Sequence, residues 1–124
     1  VIATGKQYSV REFITWACNE LSIKIKFEGN GLDEIGIIDN FDHNEYPNLK
    51  KGQVILRIDP RYFRPAEVET LLGDPSKAKK ILNWSPEITA QEMCKEMVRD
   101  DLKNAQKDKI LKDHGFNISI SKEN

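Results

Sequence analysis

Residues 59–67 read Asp59-Pro60-Arg61-Tyr62-Phe63-Arg64-Pro65-Ala66-Glu67, and they join two different patterns. Before them, residues 54–58 are a short, mostly apolar run of the kind that forms a strand. After them the punctuation is helical: Pro65 suits a first turn, Val68, Leu71 and Leu72 supply an apolar face, and Gly73 suits a C-terminal cap. A strand running into a helix makes the fold class α/β. The junction is also the best local anion site. Arg61 and Arg64 stand at the mouth of the expected helix, where free backbone donors favour a phosphate and a guanidinium binds one through paired hydrogen bonds. Glu67, one turn further, suits hydrogen bonds from vicinal sugar hydroxyls. The residues alone also allow a plainer outcome, with Arg61 and Arg64 paired to Glu67 and Glu69 on a solvated surface.

Upstream, Ser9 and Glu12 in YSVREFITWACNEL form a capping box, so a helix starts there. Val10, Phe13, Ile14, Ala17, Cys18 and Leu21 follow helical spacing and mark its core face; Trp16 lies off that stripe and is free to face another domain. Arg11 sits near the helix start, where the dipole disfavours a cation, so it is either kept for an anion or an ordinary surface charge. Ile23, Ile25 and Phe27 alternate with Lys24 and Lys26 as in a strand with one wet face. Residues 35–38 make another strand, separated from residues 54–58 by a long loop, expected to be mobile, with His43, Pro47 and Gly52. The apolar start Val1-Ile2-Ala3-Thr4 carries no initiator Met and reads as a strand cut from a longer chain, its neighbours lying elsewhere.

Downstream, Asp74 and Pro75 open a short helix with Ala78, Ile81 and Leu82 inward and Lys77, Lys79 and Lys80 in water, ended by Trp84-Ser85-Pro86. Thr89 and Glu92 form a second capping box. The helix it starts has Met93, Cys94, Met97, Val98 and Leu102 as its buried stripe and Gly115 as its terminator, and residues 117–124 form a fraying tail.

A chain of 124 residues suits one domain, and 39% hydrophobic with 31% charged residues is the composition of a folded, soluble one. No apolar run approaches the roughly 20 residues of a membrane helix. The formal net charge of -1 supplies no global attraction for nucleic acid or anionic lipid, so any anion site is local. Cys18 and Cys94 are far apart and lack ligand spacing with His43 or His114; they read as reduced thiols of a cytoplasmic protein. Neither a Gly-rich phosphate loop, nor a zinc pattern, nor a nucleophile paired with a His in one motif is present, and Tyr8, Tyr46 and Tyr62 lack a nearby partner Lys. No catalytic, cofactor or metal residue is therefore assigned.

The run RIDPRYFRPAEVETLLGDPSKAKKILNWSPEIT, with YSVREF upstream, resembles the C-terminal part of the GDP-mannose 4,6-dehydratases, a family of extended short-chain dehydrogenases/reductases. The resemblance covers nearly the whole chain. It implies that residues 1–124 are a nucleotide-sugar-binding region, with residues 1–5 the last strand beside the cofactor domain, built on a small mixed sheet with about four helices. It further implies an N-terminal Rossmann domain binding NADP and carrying the catalytic residues, outside this chain, so that the isolated chain is inactive. The activity implied is conversion of GDP-mannose to GDP-4-keto-6-deoxymannose, in the biosynthesis of GDP-fucose and other deoxyhexoses, by a homo-oligomer (dimer or tetramer). Arg-Pro-Ala-Glu of the family falls on Arg64-Pro65-Ala66-Glu67, implying diphosphate contact by Arg64 and ribose contact by Glu67. Its YSVREF element makes Arg11 a further nucleotide contact, and Arg61 and Tyr62 match the motif as ligand or loop-holding residues. Many relatives have Gly where Asn83 stands; Asn tolerates the left-handed backbone of that turn. A sibling GDP-sugar dehydratase or epimerase, or a binding module without catalysis, are the alternatives.

Overall fold

Ser9 begins the first helix as its spacing predicts. Its hydroxyl accepts from Glu12 N, the Glu12 carboxylate accepts from Ser9 N, and helix α1 runs Val10–Glu20 in this computed structural model, which describes residues 1–64 and 71–115. Strand β1, Ile23–Glu28, follows after a left-handed Ser22, and its residues alternate between half-buried and exposed as the Ile/Lys alternation requires. Strand β2 is Ile35–Phe41 and strand β3 is Val54–Arg57.

The three strands lie in the order β1-β2-β3 with both pairings antiparallel. The expected small mixed sheet is thus corrected to a wholly antiparallel one. The physical reason is connectivity: neighbouring strands are joined by a short turn and a loop, whereas a parallel pair needs a long crossover. Phe27, Gly36 and Leu56 fall in one row across the strands, as do Ile25 and Ile38. Gly36 is the tight point of the sheet, since a Cβ there would meet Ile25 Cδ1 at 2.9 Å and Leu56 Cβ at 3.0 Å.

The loop between β2 and β3 is tied down rather than left loose. Tyr46 N donates to Asp42 O, Gly52 N to Ile38 O at 2.7 Å, and Tyr46 Oη reaches Leu21 O at 2.6 Å. Burial, with Glu45 and Asp42 nearby, pushes the Tyr46 phenol up from its ordinary value and keeps it a donor.

Two further α-helices complete the described part, α2 at Ser76–Leu82 and α3 at Ala90–Asp113. Three α-helices lie among the described residues; of the about four expected, the one from Phe63 falls largely on residues 65–70, outside the described residues, and Leu71 and Leu72 beyond it are not helical. Gly73 is not its left-handed cap either. It is a close approach, where an added Cβ would stand 2.6 Å from Ala3 Cβ. Asn83 does adopt the left-handed turn, at φ 51 and ψ 33, and closes α2 with its N–H on Ala78 O. Thr89 and Glu92 cap α3 reciprocally, and Gly115 follows its end at φ +85.

Helix α1 lies between β1 and α3, which explains why Phe13 through Cys18 are all half-buried rather than confined to one stripe. Trp16, expected to face another domain, packs edge-on against Tyr8 with ring centres 4.8 Å apart. Among the described hydrophobics only Ile38, Phe41, Ala78 and Cys94 are buried, so the core is small. Met93 and Met97, and Ile81 and Leu82 of α2, expected inward, are exposed. The described elements cover these stripes only in part: α3 buries Cys94 beside Phe13 of α1, and α2 buries only Ala78. Residues 1–5 pair with none of the three strands, and Val1 and Ile2 are exposed. No described helix is long and apolar enough to cross a membrane. The fraying tail predicted for residues 117–124 lies outside the described residues.

Candidate functional site

The first turn of α1 and the end of the sheet enclose a cleft of about 540 Å³, floored by apolar side chains and rimmed by Ser9, Arg11 and Glu34. Val10 and Ile14 line it from the helix, Phe27, Ile35 and Leu56 from the strands, and Ile58 and Phe63 from the chain leaving β3. Sequence positions 9–14 and 58–63 thus meet at one site because antiparallel pairing returns β3 beside β2 and aims its exit at the helix start.

Arg11 reaches Glu34 through two bonds, Nε to Oε1 and Nη2 to Oε2, each 2.6 Å. The bonds to Glu34 raise the arginine further above its ordinary value, and Arg11 holds the Glu34 carboxyl below the usual carboxylate range. Glu34 was not singled out from the sequence. It is 23 residues from Arg11 and no local spacing connects them.

Arg61 takes a different course. Asp59 caps the 3-10 turn Pro60–Tyr62 by accepting from Arg61 N, and Arg61 Nη2 folds back on Asp59 Oδ2 at 2.9 Å. Those bonds hold the Asp59 carboxyl low. The guanidinium carbon lies 5.4 Å from the centre of the Tyr62 ring. In this conformation Arg61 and exposed Tyr62 brace their own turn and take no part in the cleft lining. The surface pairs considered for Arg61, with Glu67 or Glu69, involve residues outside the described ones. Arg64 is exposed one residue beyond Phe63, and Glu67 lies outside the described residues. The structure therefore brings Arg11 and Phe63 to one cleft and sets Arg61 apart.

The described residues carry no Gly-rich turn of the kind that opens a dinucleotide-binding helix. The only Gly-x-Gly, Gly29-Asn30-Gly31, links two antiparallel strands through the 3-10 turn Gly31–Asp33 instead of opening a helix after a parallel strand. Among the described residues no cluster of His, Cys, Asp and Glu suited to a metal occurs. Cys18 and Cys94 are free, and burial pushes both thiols up, away from the reactive thiolate. The cleft thus has an apolar floor and an arginine fixed at its rim, with Arg61 and Arg64 on the segment leaving it.

The chain is 60% identical to the GDP-mannose 4,6-dehydratase of Vibrio cholerae over 123 residues, which are 99% of this chain and 33% of that protein. It is 47% identical over 102 residues to GDP-mannose 4,6 dehydratase 2 of Caenorhabditis elegans, covering 82% of this chain and 24% of the relative. With the human GDP-mannose 4,6 dehydratase it shares 37% over 102 residues, again 82% of this chain and 25% of the other. The chain thus spans at most a third of the length of these relatives. The profile of the family described as GDP-mannose 4,6 dehydratase matches residues 1–97, from the exposed start through both flanks of the cleft and into α3. With that match over most of its length, the chain belongs to the GDP-mannose 4,6-dehydratase family.

Proposed function

We propose that this chain is the nucleotide-sugar-binding part of a GDP-mannose 4,6-dehydratase, which converts GDP-mannose to GDP-4-keto-6-deoxymannose. The observation that carries this is the shared cleft: the start of α1 and the segment leaving β3 flank it within the stretch that matches the family. Arg64 takes the diphosphate through charge-assisted hydrogen bonds, Glu67 takes the ribose hydroxyls, and Arg11 adds a contact from the opposite flank. Arg61 and Tyr62 keep the turn in shape. NADP, held by a Rossmann domain that is not part of these 124 residues, supplies the hydride acceptor and donor. The chain's own task is to bind and orient the substrate, since none of its residues is assigned to the chemical steps. We place the whole protein in the cytoplasm as a homo-oligomer.

The test replaces the matching 123 residues of the Vibrio cholerae relative with this chain. Calorimetry should show GDP-mannose bound by the chimera, and Arg64→Ala should weaken binding by about 1.5 to 3 kcal/mol. A folded chimera that binds no GDP-mannose sinks the reading. Unchanged affinity in Arg64→Ala removes that residue from the site.

A further inference from the structure

Arg11 occupies the second position of α1, where the positive end of the helix dipole disfavours a cation. Glu34 offsets that. The pair is lopsided: the Glu34 side chain is 14% exposed and that of Arg11 62%. A largely covered carboxylate thus grips an exposed guanidinium by its Nε and Nη2 edge. The Nη1 donors on the other edge meet no acceptor among the described residues.

An exposed arginine without such a grip samples many rotamers and loses them when it binds a ligand. Held by a carboxylate, it loses them on folding instead, and its free edge stays aimed in one direction. Arg11 itself lines the cleft, whose other lining from Val10, Ile14, Phe27, Leu56 and Phe63 offers no charge. Because Glu34 nearly neutralises Arg11, the contact acts through directed hydrogen bonds more than through a long-range field, which suits a fork-shaped match to phosphate oxygens.

We infer that Glu34 is a positioning residue: it fixes the Arg11 guanidinium at the cleft rim so that its free edge receives the diphosphate of the nucleotide sugar. This rests on the function proposed above and deepens it. Glu34 touches no substrate atom itself and acts only through Arg11.

A double-mutant cycle in the Vibrio cholerae chimera tests it, with GDP-mannose as the probe. Glu34→Gln should raise Kd and KM by about five- to tenfold while kcat is retained, the loss of one preorganised contact to a remote part of the substrate. In an Arg11→Ala background the same change should add nothing, because its only route is gone. Glu34→Asp, which keeps the carboxylate, should recover part of the affinity. If Glu34→Gln lowers Tm but leaves Kd unmoved, or if the two effects simply add, Glu34 is structural and the inference is overturned. A parent chimera that folds yet fails to bind GDP-mannose overturns the function itself, a result read before any variant is made.

Discussion

The helix-on-sheet part, from Val10 to Arg57, and the stretch around α2 carry similar apolar residues and treat them in opposite ways. In the first, Ile38 is 1% exposed, held on the central strand between β1 and β3. In the second, Ile81 is 65% and Leu82 69% exposed, and Val1 and Ile2 beside them are open as well. Helix α2 is only seven residues long and buries one small side chain, Ala78. An apolar stripe is a demand for a partner, not a guarantee of one: burial follows only where a second element lies within reach.

That contrast can be broken by mutation, and the largest effect belongs to the packed part. Ile38→Ala should lower the unfolding free energy of the 124-residue chain in urea by about 2 to 5 kcal/mol, transfer and cavity terms together. A change below about 1 kcal/mol would show that the sheet face is not the core.

A smaller effect should appear in acid. The Glu34 carboxyl is held low by Arg11, and a group depressed in the folded state contributes stability above its unfolded value, about 4.3 for Glu, and loses it as pH falls through the folded one. Asp59, held low by Arg61, follows the same sign within its own turn. Melting temperature should therefore decline below about pH 4.3, and Glu34→Gln should flatten part of that decline. A variant that melts along the same pH curve as the parent would show that the clamp does not couple α1 to the sheet.

The smallest effect should come from the open stretch. Ile81→Ser should change stability by no more than about 0.5 kcal/mol, since the side chain leaves water in neither state. A loss near that of Ile38→Ala would mean that α2 is covered in solution, and the two regions would no longer differ.

The two arginine pairs show where sequence reading succeeds and where it stops. Arg61 with Asp59 is a bond across two residues, of the kind local spacing exposes, although the reading weighed Glu67 and Glu69 as partners instead. Arg11 with Glu34 spans 23 residues, and only the return of β2 alongside β1 brings them together. The cleft has the same origin. Its floor comes from α1, all three strands and the segment beyond them, and no window of sequence contains it. Arg64 and Glu67, in contrast, were singled out by motif and position alone, and their roles stand as proposals.

What the chain determined by itself is what neighbours a few residues apart can settle. Both capping boxes, the Ile/Lys alternation of β1 and the left-handed turn at Asn83 follow from bonds and sterics spanning no more than about one helical turn. Tertiary structure alone decided that the sheet is antiparallel throughout, that Gly73 makes room for Ala3, that Trp16 packs on Tyr8, and that Arg11 is held by Glu34. Each of these depends on which distant segments the chain reversals place within a few ångströms, and that is a property of the packed whole.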